Sequence, residues 1–221
     1  MTEFVLVPGA WHGGWWYAPV VEALEAKGHR AHAVTLAGLA DDDPADRPVT
    51  LGTHIDQLAA LVTRVASAGP VVLAGHSYGG MVVTAVADRF PDLVRAIVQL
   101  DADVPDDGES SWSLAPQEIR DSLIEGAGDD GLTIAPLPFF DQRARPHPLA
   151  TLIQRVRLTG AWQRVPVKIY AAALDTPGGL QAPGSMAKVR DDPAWRYEEW
   201  HTSHNVLRDG PERVVDLLLS A

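Results

Sequence analysis

Residues 70–91 read "PVVLAGHSYGGMVVTAVADRFP": an apolar, β-rich run, a lone serine between glycines in the pattern Gly75-x-Ser77-x-Gly79, and a helical run stopped by Pro91. No other stretch constrains the fold as tightly. A strand that passes into a helix within three residues belongs to a crossover unit, and such units build parallel sheets covered by helices on both faces. The rest of the chain keeps the alternation. Strand-like runs stand at 4–7, 30–36, 70–75, 94–101, 165–173 and 195–200, and helix-like runs at 18–28, 50–69, 79–90 and 210–221. The expected architecture is α/β, a mostly parallel sheet of about six strands flanked by helices, with ligands at the carboxyl ends of the strands. Residues 102–164, rich in Pro, Gly and Asp and without a clean strand, read as a small helical cap or lid inserted into a single domain spanning 1–221.

Composition removes several classes of function. With 221 residues, 46% of them hydrophobic, the chain can bury a sizeable core in one domain. A net charge of -11 leaves no basic stripe to neutralise phosphates, so nucleic acid is not an expected partner. The absence of cysteine rules out disulfides, thiolate nucleophiles and thiolate metal ligands. The opening "MTEFVLVPGA" lacks a basic segment and a long apolar run, and no apolar run approaches about 18 residues, so neither signal peptide nor membrane association is expected and the expected location is cytoplasmic. The acidic run "DDDPAD" at 41–46 reads as a solvated loop, since nothing fixes its carboxylates at metal-ligand spacing. Arg143, Arg145, Arg155, Arg157 and Arg164 crowd the cap half and read as a solvated face.

The serine needs partners. A hydroxyl is a poor nucleophile until a base takes its proton, and a tight turn at a strand end presents it to substrate. Glycines beside that turn tolerate its backbone and let the helix pack against the strand. Where such a turn carries the nucleophile, the acid and then the histidine follow in chain order. Only His201 and His204 lie beyond residue 147. His204, seven positions before the Pro211 that starts the last helix, is the better base, because His201 abuts the end of the preceding strand. Asp175, at the tip of "VPVKIYAAALD", is the first choice for the acid that would hold the imidazole tautomer, with Asp101 and then Asp103 as alternatives. The developing oxyanion needs backbone donors: one from Tyr78, the residue after the serine, and one from the turn in "VPGAWHGGWW" after the first strand.

"LVPGAWHGGWW" (6–16), "AGHSYGGMV" (74–82), "LDADVP" (100–105) and "SHNVLRDGPERVVDLLL" (203–219) together resemble the α/β-hydrolases of the plant methylesterase and hydroxynitrile lyase group and their bacterial relatives. The resemblance is weakest from 105 to 190. It implies an α/β-hydrolase fold, a catalytic histidine at His204, an acid nearest Asp175 in a loop about one residue shorter than in the relatives, and Ala10 as the second oxyanion donor, with Trp11 beside it. The lyases of that group place a hydroxyl residue and a lysine where this chain has Gly9 and Asn205, so the resemblance implies ester hydrolysis rather than release of cyanide.

The expected activity is therefore hydrolysis of a small carboxylic ester through an acyl-enzyme on Ser77, with no cofactor or metal. A small-molecule substrate is the expected partner, and a homodimer stays open. Two alternatives share the pocket: a non-hydrolytic cyclisation, elimination or carbon–carbon cleavage, and ligand binding without chemistry. Trp11 and Trp112 are candidates for an aromatic pocket wall. His12 is expected to shape the glycine-rich turn by a hydrogen bond, and His76 to play a supporting part within the serine turn.

Overall fold

The structure is a computed structural model that describes every residue except 42, 44–47, 130 and 176–182. Most of the run 41–46 and the segment after Asp175 thus lie outside the described residues.

Along the chain, β1 (Glu3–Val7) leads to α1 (Ala18–Ala26), β2 (Arg30–Ala33), α2 (Leu51–Val65), β3 (Val71–His76), α3 (Gly79–Arg89) and β4 (Val94–Leu100). Next come α4 (Ser111–Leu114), α5 (Gln117–Glu125), β5 (Thr133–Ile134), β6 (His147–Pro148) and α6 (Leu149–Ile153). The chain ends with β7 (Val167–Ala173), α7 (Pro183–Val189), β8 (Arg196–Trp200), α8 (Val206–Asp209) and α9 (Pro211–Leu219). The main sheet has six strands in the order β2-β1-β3-β4-β7-β8, all parallel, as the alternation of elements requires. The segment expected to form a helical cap is mixed. Its described residues hold three short α-helices, a 3-10 turn at Ala161–Arg164 and a two-residue antiparallel pairing of Thr133–Ile134 with His147–Pro148, too brief to leave a period-2 signature.

Each face of the sheet has its own apolar layer. Val5, Val7, Leu73 and Ile97 point to one side and pack with Leu58 and Val62 of α2 and Met81, Val82 and Val86 of α3. Phe4, Leu6, Val72, Ala74, Val98 and Ile169 point to the other and meet Val20 and Leu24 of α1 and Val214 and Leu218 of α9. Strands buried on both faces read as continuous apolar runs, which is why "FVLV" and "VVLA" carried no alternation. Helix ends follow local chemistry: Thr50 and Thr53 form a capping box at α2, Pro211 opens α9, and Gly28 has φ +81 after α1.

The chain steps outward from β1 to β2 and back to β3 on the other side, which makes the β1/β3 boundary the point where strand order reverses. Loops leaving adjacent strands there diverge to opposite faces and open a crevice at the carboxyl ends. The β1 turn and Ser77 sit at this crevice. Gly79 makes the approach possible, because a Cβ there would stand 2.5 Å from the Val7 carbonyl oxygen and 2.8 Å from that of Pro8. Both obstacles are backbone. Gly79→Ala is expected to cost about 1–3 kcal/mol through overpacking, read as a lower midpoint in urea unfolding with unchanged slope.

Candidate active site

Three residues other than glycine have positive φ among the described residues: Trp11 (66°), Ser77 (53°) and Asp101 (46°). They follow β1, β3 and β4, three neighbouring strands of the sheet, and all three line one cavity. Left-handed backbone at non-glycine residues is costly and persists only where the surroundings enforce it. At Ser77 the enforcement is visible: its N–H donates to the Leu100 carbonyl at 3.3 Å, and its own carbonyl accepts from Gly80 and Asp103, each at 3.0 Å.

His204 comes from the loop between β8 and α8 and reaches the same cavity. Its Nδ1–H donates to Asp101 Oδ2 at 2.7 Å, and the other oxygen of Asp101 accepts from the backbone N–H of Ala173 at 3.2 Å. Asp101 is fully buried. With Nδ1 protonated and held, Nε2 keeps its lone pair for a substrate-side proton. His76 fixes the backbone of the same residue, donating from Nε2 to the His204 carbonyl at 2.8 Å, and burial holds the His76 ring neutral. Ser77 and His204 line the same cavity, with no hydrogen bond between Ser77 Oγ and the His204 ring.

The carboxylate that meets His204 is thus Asp101, and the expectation of Asp175 is corrected. Asp175 lies past the end of β7, its side chain 58% exposed, and its neighbour is the still more exposed His201 at 3.4 Å. The reason is where each strand ends. β4 lies between β3 and β7, so the left-handed turn that ends it sets a buried Asp101 between the Ser77 turn and the end of β7, where the Ala173 N–H holds one carboxylate oxygen and His204 meets the other, whereas β7 runs on past the sheet and carries Asp175 out to solvent.

Two further buried histidines, His54 and His147, brace the turns on either side of the serine. His147, at the start of β6, accepts the N–H of Trp11 on Nδ1 at 3.2 Å and bonds Thr151 Oγ1 through Nε2 at 2.8 Å. Trp11 is tied twice more to the same inserted segment, by its indole N–H to the Ile134 carbonyl and by its own carbonyl to the N–H of Arg145, both at 2.9 Å. His54 of α2 donates from Nε2 to the Ala37 carbonyl at 2.9 Å and accepts the Tyr78 hydroxyl on Nδ1 at 2.8 Å. Burial holds His147 well below the usual histidine range and His54 down at about 4, so both stay neutral and keep these acceptor roles. His54 shares the apolar face of α2 with Leu51, Ile55, Leu58 and Val62, a spacing that could have marked it; nothing in the sequence marked His147.

The Trp11 N–H is engaged, whereas the N–H of Ala10 is not, and neither it nor the N–H of Tyr78 has a partner among the described residues. His12 donates from Nδ1 to the Ala10 carbonyl at 2.8 Å, the turn-shaping bond expected of it. Trp11 lines the cavity but Trp112 does not, packing instead against the core beneath. Leu114, Pro116, Ile119, Leu123, Phe140 and Leu152 supply apolar wall, and Asp103, Ser111 and Asn205 supply polar groups. Asp103 is buried, and that burial pushes its carboxyl up to about 7 against the opposing hydrogen bond from Ser111. Arg143 and Arg145 pair with Asp141 and Asp41 at the surface, as a solvated face would. Among the described residues there is no cluster of metal-ligating side chains, and no helix is long and apolar enough to cross a membrane.

The chain matches the alpha/beta hydrolase family over residues 4–217. It is 33% identical over 242 residues to the carbendazim hydrolyzing esterase of Nocardioides sp. (strain SG-4G), covering 99% of this chain and 98% of that protein. It is 35% identical over 146 residues to methylesterase 2 of Arabidopsis thaliana, covering 60% of this chain and 55% of that one. Among solved structures, an extracellular alpha/beta-hydrolase from a Paenibacillus species superposes with a TM-score of 0.82 at 23% identity, over 100% of this chain and 99% of the other.

Proposed function

Because this chain belongs to the alpha/beta hydrolase family, we propose that it is a carboxylic ester hydrolase working through an acyl-enzyme on Ser77. The observation that carries the reading is the pairing of a buried Asp101 with His204 Nδ1 in the cavity that also holds Ser77 on a left-handed turn. His204 Nε2 takes the proton of Ser77 Oγ as that oxygen attacks the ester carbonyl, and Asp101 stabilises the imidazolium that results. The N–H groups of Ala10 and Tyr78 receive the oxyanion. When the tetrahedral adduct collapses, the proton on Nε2 passes to the departing alkoxide, leaving the acyl group on Ser77. Water then attacks the acyl carbonyl with His204 again as base, and the carboxylic acid and the free serine are regenerated.

The names of the relatives support a small ester as substrate, one being an esterase that hydrolyses carbendazim and another a methylesterase. Within this reading, residues 102–164 act as a cap that supplies the apolar wall over Ser77, part of one domain with the sheet. The test is reaction with a fluorophosphonate probe followed by peptide mapping, beside turnover of p-nitrophenyl acetate. Stoichiometric labelling at Ser77, slowed by a competing ester, is the expected result. A folded protein that neither labels nor turns over the ester overturns the hydrolase reading.

A further inference from the structure

Asp103 is a carboxylic acid set into the wall of the cavity that holds Ser77, and the reaction has no use for it. Its side chain is more than nine-tenths buried. One oxygen accepts from Ser111 Oγ at 2.6 Å; among the described residues the other has no hydrogen-bond partner. The nearest lysine, Lys188, is engaged by Asp106 and Glu109 instead. Leu114, Pro116, Ile119 and Leu123, which line the same cavity, offer no side-chain donor. A carboxylate taken out of water with so little compensation is costly, and a ligand that brings a donor to it recovers much of that cost. A ligand that brings another carboxylate, or an ether oxygen, recovers none.

We propose that Asp103, with Ser111, is a specificity-determining subsite that selects esters carrying an N–H donor, such as an amine or a ring N–H, to meet the free carboxylate oxygen while the ester carbonyl lies at Ser77. This rests on the ester hydrolase reading and adds the substrate class. The groups facing Asp103 are Ser111 and Glu109 from the inserted segment, Lys188 from α7, His204, and the buried phenols of Tyr78 and Tyr170.

The experiment compares methyl pyrrole-2-carboxylate with methyl furan-2-carboxylate, rings of similar shape that present a donor N–H and an acceptor oxygen. The readout is the ratio of their kcat/KM values, in which the common contributions of Ser77 and His204 cancel. In Asp103→Leu the pyrrole/furan ratio is expected to fall at least tenfold from its wild-type value. Asp103→Asn, nearly isosteric and the safer variant for folding, keeps one acceptor and is expected to lie between. In the wild type the ratio should rise with pH through about 7, as Asp103 loses its proton and becomes acceptor only, and in Asp103→Asn it should be flat. A merely structural Asp103 would lower both rates together and leave the ratio alone. Turnover of p-nitrophenyl acetate with no activity on the pyrrole ester, or with a ratio unmoved by both variants, overturns the subsite and spares the hydrolase. Absence of turnover on all three esters overturns both.

Discussion

Asp101→Asn is expected to lower kcat for p-nitrophenyl acetate by about 10⁴-fold, while Asp175→Asn leaves it within threefold. The size of the first effect follows from what the amide does to the imidazole. Asp101 is held by two bonds of different kind, one from the Ala173 N–H and one from His204 Nδ1–H. An amide keeps its oxygen for Ala173 and turns its NH₂ toward His204. Nδ1 must then become the acceptor, the ring proton moves to Nε2, and the nitrogen that should receive the serine proton already carries one. The geometry survives and the base does not. Asp175 has no such hold: its carboxylate is exposed and, among the described residues, pairs with the exposed His201. If Asp175→Asn abolishes turnover and Asp101→Asn spares it, the assignment of the acid reverses.

The contrast between these two aspartates shows what was legible in the sequence. The strand–turn–helix around Ser77, the six strands and the four principal helices could all be read, because each carries a local signal: apolar runs of strand length, glycines at a close approach, a proline or a left-handed glycine at a helix end. His204 could be read for a similar reason, since few histidines stand in the right part of the chain. The acid could not. Chain order demands only that it fall between residues 77 and 204, and both Asp101 and Asp175 end a strand within that interval. What decides between them is where each carboxylate ends up, Asp101 buried against His204 and the Ala173 N–H and Asp175 exposed beside His201, a nonlocal fact that the chain's local signals do not carry. His147 is harder still. It occupies a two-residue strand in an irregular segment, and its role arises from a contact 136 residues back along the chain.

That contact leads to the second large effect. His147→Leu is expected to lower kcat about 100-fold with little change in KM, and His147→Asn to recover a good part of the loss. Trp11 holds a left-handed backbone whose N–H points at His147 Nδ1, and Ala10, the donor assigned to the oxyanion, immediately precedes it. Removing the acceptor leaves a partly buried N–H unpaired, a cost of up to about 1–3 kcal/mol that the turn relieves by rotating toward other partners. Movement of that turn also displaces the adjoining Gly9–Ala10 peptide, whose Ala10 N–H then leaves the point where negative charge develops. The ground-state ester makes little use of this donor, so binding is spared and the transition state is not, which is why the loss belongs to kcat. Asparagine can place its amide oxygen near the position of Nδ1, and recovery by it separates an acceptor role from mere filling of space. With that outcome His147 would be a positioning residue that acts through Trp11, and the inserted segment would belong to the proposed oxyanion site rather than lie over it as a cover. If His147→Leu folds normally and keeps kcat within twofold, the bond to Trp11 is structural only, and the turn after β1 holds its shape without help from the cap.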